Sequence, residues 1–314
     1  MTVWLVAAAV ALLPLLLSGP AAERLARAEW ARTCPRAALA MWQAIGLAGG
    51  LSAVAIGLVA AVAPLAAAFP HGMHTFGLQI LNGQGLSGLG PAHIAALVWS
   101  AGLIAWLLFN IARTIMRTTA EQRRQRLLVD VVGDPWLPHD AYLLPSAKPV
   151  AYCVPGRRAR IVLSRGTLDL LNAEQVQAVL AHERAHARGR HDLLLLPFIA
   201  LALAFPWVPV VRTARAAVPV LLEMLADDQA RRTHDHVVLV QAIVQMAAPA
   251  PQSLGVTPAL ADSAVLQRVD RLLHGTRNGS RWMPATAYST AGLLLCGPLA
   301  VLVAPLLCTT IWQI

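Results

Sequence analysis

Charged residues are scarce in this sequence, and lysine is almost absent. Only 13% of the 314 residues are charged, and Lys148 is the single lysine. With 57% hydrophobic residues and a mean hydropathy of +0.58, the composition excludes an ordinary soluble protein and indicates an integral membrane protein. The net charge of +9 comes from arginines that cluster at the ends of apolar runs. This placement is typical of membrane topology signals rather than of a nucleic-acid-binding surface, so no direct nucleic-acid partner is expected.

Cysteine is also rare, and its few positions are far apart. No two cysteines have the spacing of a metal-binding pair, and two of them lie in apolar segments. The sequence therefore predicts neither a disulfide framework nor a cysteine zinc site. The four positions are Cys34, Cys153, Cys296 and Cys308.

Long hydrophobic runs are abundant, and four of them can cross a bilayer, which takes about 20 mostly apolar residues. The first run has no basic residue before it and several arginines after it, which favours a retained anchor over a cleaved signal peptide. Arginines are absent from residues 70–92 and frequent just after residue 112. Positive-inside counting therefore places both termini outside a plasma membrane and the segment between the third and fourth spans in the cytoplasm. The predicted spans are residues 3–22, 38–69, 93–112 and 285–312.

These spans divide the chain into a membrane domain (1–112), a cytoplasmic domain (113–283) and a C-terminal transmembrane helix (284–314). A fifth apolar run, near 193–211, is long enough to cross but contains three prolines. A single crossing there would place the segments before and after it on opposite sides of the membrane. We therefore expect a helical hairpin that is either re-entrant or only apposed to the membrane.

The most informative motif is the pentapeptide that runs from His182 to His186. On a helix, the two histidines lie one turn apart on the same face, and both can offer a ring nitrogen to one Zn²⁺. Glu183, one position further round, would face the zinc-bound water and act as its general base. Asn172, followed by Gln175, predicts the start of this helix through a capping box.

A catalytic zinc site needs three protein ligands and one open position, so a third ligand must come from another segment. We expect Glu223, because it opens an acidic stretch on a second apolar helix. Asp227 lies one turn later on the same face and would accept the remaining ring N–H of a ligating histidine.

Weaker signals concern substrate binding and the oxyanion. Extended segments are predicted at residues 141–144, 150–154 and 160–164. Residues 150–154 would hold a substrate backbone if they form an edge strand near the metal, and an internal strand is the alternative. His234, eleven residues after Glu223, would share its helix face and could stabilise the oxyanion; Arg231 and His236 compete for that role, and a surface histidine without a role is equally consistent.

The pairing of the His182–His186 motif with the stretch from Glu223 to Ala230 resembles that of the gluzincin membrane peptidases. That group includes the HtpX and CAAX prenyl proteases and the BlaR/MecR family. Three spans, a cytoplasmic zinc domain and a fourth span resemble BlaR/MecR. The resemblance implies a mainly α membrane protein with four transmembrane helices and an inserted α+β gluzincin-type zinc peptidase domain.

The same resemblance implies one Zn²⁺ per chain and a role in signal transduction. The substrate would be a cytoplasmic or membrane-adjacent protein, such as a BlaI-like transcriptional repressor, and the other partners would be membrane lipid and a second copy in a homodimer. No penicillin-binding sensor domain follows the last span, so β-lactam sensing is not expected. The arginine-rich composition is typical of a bacterial source. The alternative is a catalytically silent zinc-binding scaffold or signal transducer, which would not need Glu183 and would normally close its site with a fourth protein ligand.

Overall fold

A computed structural model describes residues 2–66, 69–156, 158–247, 258–275 and 282–311. Within these ranges the chain is mainly helical, with one four-stranded sheet. Four helices are long and apolar enough to cross a membrane, in agreement with the four predicted spans. The last predicted span ends at residue 312, outside the described residues. The four helices are α1 (Thr2–Arg27), α3 (Pro35–Val62), α5 (Pro91–Val132) and α12 (Met283–Ile311).

Helix α3 is the centre of this group and is buried against α1, α5 and α12. Its contact with α5 is close at Gly57, where a Cβ atom would lie 2.1 Å from the hydroxyl oxygen of Ser100. That hydroxyl donates a hydrogen bond to the carbonyl of Val54 on α3 (3.2 Å). Small residues that let helix backbones approach closely are typical of contacts between membrane helices.

Two features of the membrane region were not predicted. The link between the second and third spans contains a helix, α4 (Phe69–Leu81), in addition to the short helix α2 (Glu29–Thr33) before the second span. Helix α5 does not end with the apolar run at residue 112 but continues for 42 residues in all, to Val132. The predicted domain boundary at residue 112 therefore falls inside a continuous helix.

The sheet follows α5 directly and contains all three predicted strands. Its order is β1-β2-β4-β3, with β2 parallel to β4 and the other neighbours antiparallel. Among the described residues, strand β3 lies at one edge of the sheet. Of the two alternatives for residues 150–154, an edge strand and an internal strand, the structure has the edge strand. The strands are β1 (Asp134–Trp136), β2 (Ala141–Leu144), β3 (Ala151–Val154) and β4 (Arg160–Ser164).

Among the described residues, six helices come between the sheet and α12. Helix α7 begins with the predicted capping box, in which the side chains of Asn172 and Gln175 each bond the other's backbone N–H. Its apolar face, with Val176 and Leu180, packs on the sheet and on Ala242 of α10. The helices are α6 (Arg165–Leu170), α7 (Ala173–Gly189), α8 (His191–Ala204), α9 (Pro209–Ala230), α10 (His236–Ala247) and α11 (Pro258–His274).

The fifth apolar run forms a helical hairpin from α8 and the start of α9. Its tip lies against the membrane helices: the indole N–H of Trp106 on α5 donates to the carbonyl of Ala204 (3.3 Å). Leu201 lies against Gly46 of α3, where its methyl group would be 3.3 Å from an added Cβ. The core shared by α9, α1, α3 and α12 continues this packing along the hairpin.

Candidate metal centre

The two helices that carry the candidate ligands pack side by side. Helix α7 supplies His182 and His186, and α9 supplies Glu223. The two Nε2 atoms lie 3.2 Å apart. Glu223 places one carboxylate oxygen 3.3 Å from the Nε2 of His182 and the other 3.4 Å from the Nε2 of His186. The structure therefore brings the three predicted ligands together.

These distances fit a metal ion of the size of zinc. Ligands at about 2.0–2.1 Å from a tetrahedral Zn²⁺ are separated from one another by about 3.3 Å. One ligand atom from each of the three side chains lies within 4.8 Å of the other two, and no other group of three such side chains is found among the described residues. Two imidazoles and one carboxylate form the donor set of a catalytic zinc site, in which the fourth position stays open.

Glu183 lies beside this triad without joining it. It is partly buried, and its carboxylate accepts a hydrogen bond from the backbone N–H of Cys153 on β3. Burial raises the pKa of Glu183 to about 7, and the charge of Glu223 acts in the same direction. A carboxylate whose pKa lies near neutrality can both take up and release a proton, so one residue can act first as the general base and then as the general acid.

Residues 117–256 match the model of peptidase family M48. The match indicates a zinc metalloprotease, and it spans α7 and α9 with all three candidate ligands. No curated protein and no solved structure matches the chain. The comparison supports a zinc metallopeptidase segment at residues 117–256, and the finer resemblance to BlaR/MecR stays a prediction.

Within the matched segment, Asp227 lies where the sequence predicted a partner for a ligating histidine. Its side chain is fully buried, and one carboxylate oxygen is 2.9 Å from the Nδ1 of His182. At this distance the two atoms are in contact, although their angle departs from that of a well-formed hydrogen bond. The carboxylate fixes which ring nitrogen of His182 faces the metal position.

Arg268 was missed by the sequence analysis. It lies on α11, beyond the matched segment, and donates two hydrogen bonds of 2.8 Å to Asp227. A third nitrogen is 3.1 Å from Glu223. The guanidinium therefore contacts Glu223 and Asp227 at once, and it binds Asp227 in the forked geometry that arginine forms with carboxylates. A basic residue on an amphipathic helix gives no sequence signal for such a role.

The charges of this cluster shift the pKa of each member. Burial alone would raise the pKa of both carboxylates, but His182 and Arg268 outweigh it and lower the pKa of Glu223 and of Asp227 to about 2. Burial alone would lower the pKa of His182, but Asp227 and Glu223 raise it to about 9. For His186 the effect of burial dominates and lowers the pKa to about 4. Without a metal, His182 is thus the protonated member of the site.

Strand β3 borders the open side of the site, and the backbone groups of its alternate residues point away from the sheet. The carbonyl of Val150 accepts from Ser164 on β4, so the alternate residues Tyr152 and Val154 also face β4. The backbone groups of Ala151 and Cys153 consequently face away from the sheet. A cleft of about 320 Å³ lies between this edge and the metal ligands. It is lined by Ala151, Tyr152, Cys153, Pro155, His182, Glu183, His186, His191, Asp192 and Glu223.

His234 does not take the position that the sequence analysis assigned to it. Helix α9 ends at Ala230, and the backbone turns before α10 begins at His236. The helical spacing from Glu223 therefore does not extend to His234, whose ring contacts the hydroxyl of the neighbouring Thr233 (2.9 Å). His234 is not among the residues that line the cleft, so the prediction that His234 approaches the metal position is wrong.

Proposed function

We propose that this protein is an integral-membrane zinc endopeptidase whose M48 domain faces the cytoplasm. The observation that carries the proposal is the grouping of His182, His186 and Glu223, whose ligand atoms lie within 4.8 Å of one another, with Glu183 in the same cleft. One zinc ion per chain would be held by the three ligands. When bound, zinc supplies a Lewis acid that polarises the scissile carbonyl.

The other chemistry belongs to side chains and backbone of the protein. Glu183 takes the proton of the attacking water and passes it to the leaving amine. Asp227 and Arg268 hold His182 and Glu223 in the orientation that binding requires. The N–H and carbonyl of Ala151 and the carbonyl of Cys153 bind the substrate backbone as an added strand, whereas the N–H of Cys153 donates to Glu183.

The hairpin supports a substrate close to the membrane. Its tip contacts Trp106, about 10 Å along α5 from Arg113, where the apolar run ends. Helix α8 is 14 residues long, or about 21 Å, and His191 at its other end lines the cleft. Asp192, which also lines the cleft, contacts Gln122 of α5 (3.4 Å), so the cleft lies about 14 Å along α5 from Arg113. This distance favours a re-entrant hairpin and a cleaved segment near the bilayer surface.

The finer assignments rest on the arginine pattern and on the resemblance to BlaR/MecR. They assign the protein to a bacterial plasma membrane, which it crosses several times with both termini outside. They also assign residues 113–283 to the cytoplasm and a BlaI-like repressor as the substrate. A silent scaffold is the less favoured function, because a zinc site kept only for folding has no use for a carboxylate such as Glu183, whose pKa is raised to about 7 by burial.

The experiment that tests the function compares the intact chain with Glu183→Gln at equal abundance. New protein N-termini in cells, and cleavage of unfolded casein by the purified proteins in detergent, are measured for both. We expect termini and cleavage that depend on Glu183, and equal zinc contents in the two proteins. Equal cleavage by the variant would remove Glu183 as the base, and zinc bound without cleavage by either protein would favour the scaffold.

A further inference from the structure

The junction of α7 and α8 folds a histidine back onto one of the zinc ligands. His191, the first residue of α8, places its Nδ1 atom 2.9 Å from the Nδ1 of His186. The two rings are nearly perpendicular, at 82°, with centroids 4.6 Å apart. Although it lies at a helix junction, His191 is only 8% exposed. The contact is thus part of the packed site and not a surface encounter.

The backbone of the junction is specialised for this contact. A Cβ atom at Gly189 would lie 2.5 Å from the Nε2 of His191, so any larger residue would displace the ring. Arg190 has a left-handed backbone, with φ of 48°, a conformation that residues other than glycine rarely adopt. The absence of a side chain at Gly189 and the left-handed backbone of Arg190 together direct the ring of His191 towards His186.

The contact also determines where the protons lie. His186 presents its Nε2 to the metal position, so its ring proton must be on Nδ1. Two nitrogens at 2.9 Å need one donor and one acceptor, and the acceptor must therefore be the Nδ1 of His191. His191 is then the neutral tautomer that carries its proton on Nε2.

We propose that His191 is a positioning residue that fixes the tautomer and ring orientation of His186 for zinc binding. This inference rests on the proposed zinc site. The two ligating histidines are supported differently, since His182 contacts the carboxylate of Asp227 and His186 contacts a neutral imidazole. A carboxylate in the place of His191 would have added negative charge to a site that already contains the carboxylates of Glu183, Glu223 and Asp227. The imidazole orients the ligand without lowering the net charge of the site.

The test measures zinc affinity of the full-length protein in detergent by competition with a chromophoric chelator. Removal of a group that orients a metal ligand typically weakens binding about 10- to 100-fold, which we expect for His191→Phe. His191→Asn should restore most of the affinity, because its amide oxygen is as many bonds from the backbone as Nδ1. Gly189→Ala keeps every polar group but displaces the ring, and it should weaken binding as His191→Phe does.

Controls separate this inference from the zinc site itself. His274→Phe, at an exposed position on α11, should bind zinc as the intact chain does. In the double variant Gly189→Ala/His191→Phe the losses should not add, since both changes remove one contact. Intact protein that fails to bind zinc would overturn the proposed function. Intact protein that binds zinc, with Gly189→Ala and His191→Phe of unchanged affinity or with no recovery in His191→Asn, would overturn the role of His191.

Discussion

Removal of the Asp227 carboxylate should destabilise the metal-free protein by about 3 kcal/mol, because it leaves the Arg268 guanidinium buried with one partner fewer. Breaking a buried ion pair from one side typically costs about 3–5 kcal/mol. The side chains of Asp227 and Arg268 are 0% and 13% exposed, and their two contacts are both 2.8 Å long. Arg268 would keep Glu223 at 3.1 Å, which places the expected cost of Asp227→Ala at the lower end of that range.

The assay is chemical unfolding of the purified chain in detergent with a chelator present, followed by circular dichroism. Asp130→Ala is the matched control, because the Asp130–Arg160 pair is also 2.8 Å long but its side chains are 40% and 24% exposed. An exposed pair contributes about 0–1 kcal/mol. The double variant Asp227→Leu/Arg268→Met should be less destabilised than the two single losses summed, by about 2 kcal/mol or more. Additive losses, or equal costs for Asp227→Ala and Asp130→Ala, would refute the reasoning.

The remaining predictions concern the metal and the substrate edge. Glu223→Ala should lower the zinc content by at least about tenfold, measured by metal analysis after dialysis, and an unchanged content would exclude Glu223 as a ligand. Because Asp227 and Glu223 raise the pKa of His182 to about 9 against its burial, zinc binding at pH 7 should release about one proton, and affinity should rise about tenfold per pH unit up to pH 9. Calorimetry in two buffers of different ionisation enthalpy counts that proton, and a count of zero would contradict the assignment. The same raised pKa stabilises the metal-free fold below its unfolded value of 6.5, a contribution that is lost as the pH rises through 9. Ala151→Pro removes one N–H from the free edge of β3 and should lower kcat/KM about 2- to 10-fold with zinc retained, whereas Tyr152→Pro, which faces β4, should impair folding.

Features set by short-range spacing could be predicted from the sequence. The two histidines are four residues apart, and Asn172 and Gln175, which form the capping box at the start of their helix, are three residues apart. The three strands that were predicted are alternating or β-branched runs, and they were placed almost to the residue. In each of these cases the relevant partner lies within one or two turns or along one strand, so the pattern itself carries the information.

Features that depend on long-range packing or on unmarked boundaries could not be predicted. Arg268 meets Asp227 across 41 residues of chain, and nothing in its local sequence distinguishes it from a solvated arginine. Helix α9 ends at Ala230 without a glycine or proline, so helical spacing was extended to His234 when the helix had already stopped. Strand β1 was not predicted; it is only three residues long and contains Pro135, which an edge position tolerates.

The continuity of α5 has a mechanical consequence. Its 42 residues form a rod of about 63 Å that starts beside the predicted outer loop and ends at the sheet. Near its far end, Arg126 donates hydrogen bonds to the carbonyls of Pro155 (3.0 Å) and Arg158 (3.2 Å), at the turn that follows β3. A shift of α5 along its axis, or a rotation about it, that begins near Pro91 would therefore also move the strand that borders the cleft, unless α5 bends or these two hydrogen bonds break.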